Sequence, residues 1–373
     1  MVSVLYLSHT GSSVGGCENQ LLDLIKNLDK SLYNPIAVCA DSGRFSARLE
    51  KLGIPVYIRY LPPWRRFRSY PSRRLAAIHL TKLAANKHHI SLVHTSELWS
   101  NYYALRVGQS LRIPIISHVR FRLKPERIHK YFLDRFDKII AISGRIKEHL
   151  ALGGIPSEKI EVIYDGVDLS SFSPNVQETN VLRRDYPLRE YLVGLVGRIE
   201  PFKRQKEFAH VIAEVLKVRQ DVSFLIIGEF ERKQSDYFRE VLQTVEKHEV
   251  AEYVVFTGYR GDMPEVLGSL DILVTLSGGS IMIEAMACGK PVIMASKAAP
   301  TDLRIVQDGE TGFVAPYDDI HSVSEAILRL LKDKGMRSEM GKAGRKRAEE
   351  LFDVRRTTKL TEAVYRDLLS GKG

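Results

Sequence analysis

Cysteine is scarce in this chain: Cys17, Cys39 and Cys288 are the only three in 373 residues, scattered and odd in number. That argues against a disulfide framework and fits a reducing, cytoplasmic setting. No Cys/His grouping has the spacing of a zinc site. Long apolar runs are missing as well, none approaching the ~20 residues that span a bilayer. The opening MVSVLYLSHTG lacks a basic stretch followed by a long apolar core and reads as a first β-strand, not a signal peptide. There is no Asp-x-Asp element to hold a divalent metal against a diphosphate, and no GxGxxG fingerprint, which disfavours a nicotinamide cofactor. The expectation is a protein with no resident cofactor and no metal.

What is present points to size and alternation. At 373 residues the chain exceeds the length at which one core stops growing, so two domains are expected, and its apolar share of 44% is that of an ordinary globular protein. Val2 to Ser8, Ile36 to Ala40, Val56 to Ile58, Leu92 to His94, Ile113 to Ser117, Lys138 to Ile142 and Glu161 to Ile163 read as strands, separated by amphipathic stretches. Strands alternating with helices imply right-handed crossovers and a parallel sheet covered on both faces. The polar, proline-punctuated 169–190 breaks the pattern. Alternation resumes with Tyr191 to Val196, Val222 to Ile227, Tyr253 to Phe256, Ile272 to Thr275 and Pro291 to Met294. The fold class expected is α/β, two Rossmann-like doubly wound parallel-sheet domains facing across a cleft. Residues 1–170 form the first domain, 171–190 the connection, 191–350 the second domain, and 351–373 a last helix packing back toward the first.

Three loops could meet an anion. In DILVTLSGGSIMIEAMACGKPVIMA, Gly278, Gly279 and Ser280 lie between a strand and a helix, where backbone amides can approach a phosphate, and Glu284, one turn on, could accept from sugar hydroxyls. A tight turn with a buried capping acid would look the same, and the segment alone leaves both open. Gly15 and Gly16 precede a helix starting near Glu18 and permit similar approach. In YLVGLVGRIEPFKRQKEF, Arg198 and Lys203 follow a strand ended by Gly197, and cations fixed there could stabilise charge on a leaving nucleoside diphosphate. The net charge of +10 has a local origin in PPWRRFRSYPSRR, where Arg65, Arg66 and Arg68 alternate with Trp64 and Phe67. A second group, Arg120, Arg122, Lys124 and Arg127, follows the same pattern around Phe121. Such a mixture suits an anionic membrane surface or an acidic acceptor.

GRIEPFK, IIGEF, FTGYRGDMPEVLGSLDILV, IEAMACGKPVI, DGETGFVAP and VIYDGVDLSSF, with GGCENQLLDL and AISGRIKEHL upstream, resemble the ordered signature of glycosyltransferase family 4, retaining sugar transferases with the glycosyltransferase-B fold. The resemblance covers almost the whole chain. It implies that Arg198 and Lys203 bind the donor diphosphate, that Glu284 holds the donor ribose, and that Gly258, Tyr259 and Arg260 flank the base. It further implies that Gly15 and Gly16 meet the phosphates and that His118 faces the transferred sugar; a lone strand-end histidine is otherwise most often structural.

The activity implied is metal-independent, retaining transfer from a UDP- or GDP-type nucleotide sugar to a glycan or lipid-linked acceptor in cell-envelope glycan synthesis, by a cytoplasmic protein peripheral to the membrane. No nucleic acid is expected as a partner. Two departures stand out: Leu276 occupies the position eight before Glu284 where the family usually has an acid contacting the transferred sugar, and Asp165 replaces a usual Asn. The first keeps open a non-catalytic nucleotide-binding protein, and the fold alone leaves open an epimerase or hydrolase.

Overall fold

The computed structural model describes residues 1–175, 180–230, 235–296 and 305–371. The chain divides into two units, Met1–Gly166 together with Val354–Gly373, and Val167–Asp353. The first division falls a few residues before the expected connection. The second unit starts at Val167, and a short helix, Val181–Asp185, lies within what sequence reading took as linker.

The first unit holds seven parallel strands: β1 (Val2–Ser8), β2 (Tyr33–Cys39), β3 (Val56–Ile58), β4 (Leu92–Thr95), β5 (Ile115–Val119), β6 (Lys138–Ala141) and β7 (Ile160–Val162), in the order β3-β2-β1-β4-β5-β6-β7. Side chains alternate across each strand, so β1 feeds two cores. Leu5 and Leu7 join Val38, Val93 and Ile115 on one face, while Val4 and Tyr6 join Ala37, Leu92 and Ile116 on the other. Burial on both faces explains why these strands read as continuous apolar runs. The last helix, Val354–Leu369, adds Val364 and Tyr365 to the Tyr6 face, where the two tyrosine hydroxyls lie 3.0 Å apart.

The second unit holds six parallel strands: β8 (Tyr191–Val196), β9 (Val222–Ile227), β10 (Val254–Gly258), β11 (Ile272–Thr275), β12 (Val292–Ser296) and β13 (Gly312–Pro316), in the order β10-β9-β8-β11-β12-β13. Sequence reading missed β13. Its five residues, GFVAP, are bracketed by glycine and proline and carry no long apolar run, yet they pair in register with all of β12. Gly312 is the signal that could have found it: its φ is 155°, and a Cβ there would run into the Val292 carbonyl oxygen. Both sheets repeat one plan, with strand order reversing between β1 and β4 and again between β8 and β11. In a doubly wound sheet the ligand crevice lies at the carboxyl ends of the strands where that reversal occurs. Among the described residues no helix is long and apolar enough to cross a membrane.

Candidate functional site

In the second unit the reversal point lies between the loops that leave β8 and β11. Gly197 continues the pairing of β8 by donating to the Ile227 carbonyl at 2.9 Å, at a φ of 151°. Its neighbour Gly228 has no room for a side chain, since a Cβ would meet the Gly197 carbonyl. The missing side chain at Gly197 is filled by Lys203. A Cβ built on Gly197 would lie 3.0–3.3 Å from the Lys203 methylenes, and one on Gly279 would lie 3.6 Å from the Lys203 Nζ. Two glycines on different loops thus form the trough in which Lys203 lies. Burial lowers the Lys203 pKa, Glu200 opposes the shift and Arg198 adds to it. Arg198 is more exposed, 3.6 Å from Glu200 Oε1, and its carbonyl accepts from Gln205 Nε2 at 2.9 Å.

After β11 the chain passes Leu276, then Gly278 (φ 72°) and Gly279 (φ 121°), and enters the helix Ile281–Ala287 through Ser280. Thr275 Oγ1 donates to the Gly278 carbonyl at 3.3 Å and fixes the loop. The helix spans only seven residues, so its dipole is short and Lys203 and Arg198 supply most of the positive charge here. Glu284 lies in its first turn, half-buried, beyond the glycines. Leu276 is 3% exposed and belongs to the apolar core with Leu195 and Val274. At the position of the usual acid the chain therefore places a packing residue.

Gly258 ends β10 at a φ of 68° and its carbonyl accepts from Gly228 at 3.0 Å, while Tyr259 is 44% exposed. Arg260 differs from expectation. Its Nε and Nη2 grip Asp262 at 2.8 and 2.5 Å and its Nη1 holds Asp185 at 2.7 Å. The guanidinium is spent on tying the helix Val181–Asp185 to the loop, which holds both carboxyl groups below their usual range.

In the first unit the reversal point lies between β1 and β4. Gly15 caps the helix Gly16–Asn27, and its amide already donates to Glu18 Oε2 at 2.8 Å, so that amide is not free for a phosphate. The loop leaving β1 is tied to that leaving β4 by Glu97, which accepts from the His9 amide at 3.2 Å and lies 3.3 Å from His9 Nδ1. Burial would lower the His9 pKa, but its hydrogen bond and charge contact with Glu97 more than offset that and raise it. Glu97 was not singled out from sequence; it shows as a carboxyl group just past an apolar strand, followed by the Trp99 and Ser100 amides it caps.

His118 lies inside β5, which begins two residues later than expected, and is 3% exposed. Its ring stacks on His94 with centroids 5.7 Å apart and planes at 15°. Arg120 Nη2 is 3.2 Å from His118 Nδ1. A guanidinium only donates, so Nδ1 accepts and the ring proton resides on Nε2, which is buried and has no partner among the described residues. Burial, Arg120 and His94 all push the His118 pKa well down, so the ring is neutral at neutral pH. Arg120 is not available to an anionic membrane surface or acidic acceptor, contrary to what its sequence neighbourhood suggests. It is 8% exposed, 3.1 Å from Asp165 and hydrogen-bonded to the Ser96 carbonyl. The Asp in place of the usual Asn is the counter-ion of this buried arginine. Burial raises the Asp165 pKa and Arg120 opposes it.

The basic segment near residue 64 is anchored in the first core through Trp64 and is not an open basic surface throughout. Trp64 is 7% exposed, packs against Tyr102, Tyr131 and Phe132, and donates from Nε1 to the Trp99 carbonyl at 2.7 Å. It is a core residue and cannot insert into headgroups as it stands. Arg65 lies over the rings of Tyr131, Trp99 and Trp64 at 4.2, 4.6 and 5.0 Å, a set of cation–π contacts within the unit. Arg66 and Arg68 are exposed, and the Phe67 side chain lies outside the described residues.

Residues 14–171 match the family described as Glycosyltransferase Family 4, and residues 178–347 match Glycosyl transferases group 1. The chain is 24% identical over 246 residues to the N-acetyl-alpha-D-glucosaminyl L-malate synthase of Bacillus anthracis, which covers 64% of this chain and 62% of that protein. It is 26% identical to the lipopolysaccharide core mannosyltransferase LpsB of Rhizobium meliloti, covering 64% of this chain and 68% of that one. The matched part is thus about two thirds of the length of these relatives. Anabaena HepE, solved with UDP and glucose, superposes with a TM-score of 0.84 at 20% identity over 98% of this chain and all of that one. The sucrose-phosphate synthase of Thermosynechococcus elongatus does so at 0.81 and 19% over both whole chains. With both of its units matched, the chain belongs to the group 1 and family 4 glycosyltransferases, of the glycosyltransferase-B fold.

Proposed function

We propose that the protein is a retaining glycosyltransferase that moves a sugar from a UDP- or GDP-type nucleotide sugar to a hydroxyl of a glycan or lipid-linked acceptor, with no metal and no resident cofactor. The observation that carries this is the Lys203 ammonium held in the Gly197–Gly279 trough beside Arg198. A cation partly desolvated before the ligand arrives interacts strongly with a diphosphate and needs little reorganisation as leaving-group charge develops. These two cations would supply the charge compensation. Glu284 would hold the ribose and the Nε2–H of neutral His118 would donate to an oxygen of the transferred sugar. Retention needs no protein nucleophile: the acceptor attacks from the face the diphosphate leaves.

Relatives named for galactosyl transfer to a diphosphoundecaprenol-linked sugar and for core mannosyl transfer support an envelope acceptor. HepE complexes with UDP-glucose make uridine the first base to test. We further place an anionic bilayer against the first unit on the exposed face of the helix Tyr70–Asn86, where Leu75 and Ile78 stand between Arg74 and Lys82, instead of at Trp64. The test is incubation of UDP-glucose and GDP-mannose with and without polyprenyl-linked acceptors in EDTA, reading the anomeric configuration of the product by NMR. Inversion, or transfer abolished by EDTA, overturns the mechanism. Leu276 in the core favours one second reading, a nucleotide-binding protein without turnover; tight UDP binding with no transfer to any acceptor supports it.

A further inference from the structure

We propose that the second unit carries a separate cleft for a phosphate-bearing anion, formed by Lys290 and the face of the helix Lys334–Leu351 that bears Lys342 and Lys346. The cleft has a volume of about 490 Å³, within the range of small-molecule sites. It lies on the edge of the sheet opposite to Arg198 and Lys203. Asp271 and Lys290–Pro291 directly precede β11 and β12, whereas the Lys203 trough follows β8 and β11, and all these strands are parallel. The inference is therefore independent of the proposed transfer.

The helix comes unusually close to the turn before β12, because Gly341 has no side chain and a Cβ there would strike the Gly289 carbonyl. That approach buries Lys290, leaving it 9% exposed. The charges around it do not balance. Six cations and two acids line the cleft. Both acids are engaged, Asp271 accepting from the Leu192 amide at 2.8 Å and Glu349 from Arg345 Nε at 2.6 Å. Arg345 and Arg337 are held by main-chain carbonyls, at 2.7 Å from Phe172 and 3.0 Å from Leu331, which fixes their guanidinium groups. Among the described residues none of the four lysines Lys290, Lys334, Lys342 and Lys346 forms an ion pair. A buried ammonium with no carboxylate at ion-pair distance is costly, and its burial lowers the Lys290 pKa against the weaker pull of the more distant Asp271. Concave walls focus the field of the surrounding lysines on the same point. Only a ligand with several anionic oxygens answers four unpaired ammonium groups at once, and phosphate esters and pyrophosphates do so.

The experiment is calorimetric titration of the full chain with inorganic pyrophosphate at low ionic strength. Binding should persist in the R198A/K203A variant, weaken at least tenfold in K290Q/K342Q/K346Q, and weaken far less in K206Q/K217Q/K247Q, which removes the same charge from residues that do not line the cleft. Lys290→Met should keep or raise the ligand-free Tm while losing the rise that pyrophosphate induces, so loss of folding cannot mimic loss of the site. Failure of the wild type to bind, loss in R198A/K203A alone, or equal loss in the two triple-lysine variants overturns the proposal. Sedimentation with phosphatidylglycerol vesicles names the source: capture that needs Lys342 and Lys346 assigns a headgroup phosphate, and capture indifferent to them assigns a free one.

Discussion

Lys203 and Arg198 are unequal in environment, and the difference is measurable. Lys203 is half-buried along Gly197, whereas Arg198 is exposed and close to Glu200. Alanine at either position should lower kcat/KM for transfer by about 2–4 kcal/mol while leaving far-UV circular dichroism unchanged, with the larger loss at Lys203. Wild-type turnover in either variant removes the pair from the diphosphate. Glu284→Ala should act differently. A ribose contact is made equally in ground and transition states, so KM should rise with little change in kcat. A fall in kcat at constant KM would place Glu284 on the reacting sugar, in the role of the acid replaced by Leu276. At this scale the sequence was legible where chemistry needs a residue type: a cation after a strand or glycines in a loop. It was illegible where a contact arises from distant residues. The Arg260 clamp on Asp185 spans 75 positions and the Arg120–Asp165 pair 45, and neither has a local pattern.

At the scale of elements, β1, β4, β5 and the last helix share one buried polar chain. Tyr6 meets Tyr365, Tyr365 meets His94 Nδ1 at 2.6 Å, and His94 stacks on His118. Tyr365→Phe leaves the ring in place but removes the hydroxyl that both neighbours use, and should cost about 1–3 kcal/mol in urea unfolding. The same chain sets a pH dependence. Burial, with Arg120, drives the His94 pKa down to about 3 and that of His118 well below its usual value. Unfolding returns both to about 6.5, so between those values the unfolded state binds more protons and stability rises with pH. Stability should be intact above pH 6.5 and fall on acidification below it, by up to about 1.4 kcal/mol per pH unit for each histidine. Replacing His94 by Gln should flatten the slope of unfolding free energy between pH 6.5 and 5, and an unchanged slope would show that the His94 ring does not titrate on unfolding. Strands were legible from burial on both faces, which wrote them as apolar runs. The exception, β13, is an edge strand of five residues whose pairing rests on a glycine that packs on backbone, a cause that periodicity does not register.

At the scale of the whole molecule, the net charge of +10 is divided among places with different roles, and sequence proximity did not separate them. Of the arginines near residue 64, Arg65 is taken up by three aromatic rings and Arg73 by the Trp64 carbonyl and Tyr102, while Arg66, Arg68 and Arg74 face outward. Trp64 therefore supports the fold, and the outward arginines are the ones left to meet the proposed anionic surface. The two contributions separate by mutation. Trp64→Ala removes a buried ring from the first core and should cost about 3–5 kcal/mol of stability. R66Q/R68Q/R74Q should leave stability nearly unchanged and reduce sedimentation of the protein with anionic vesicles. Because exposed charges are screened over ~8 Å at physiological ionic strength, binding by the unaltered chain should decline steeply between low and physiological salt, and its residual part should depend on Leu75 and Ile78. If the triple variant sediments as the parent chain does at low salt, the outward arginines of the first unit are not what holds the protein to lipid, and the basic cleft at Lys290 becomes the surface to alter next.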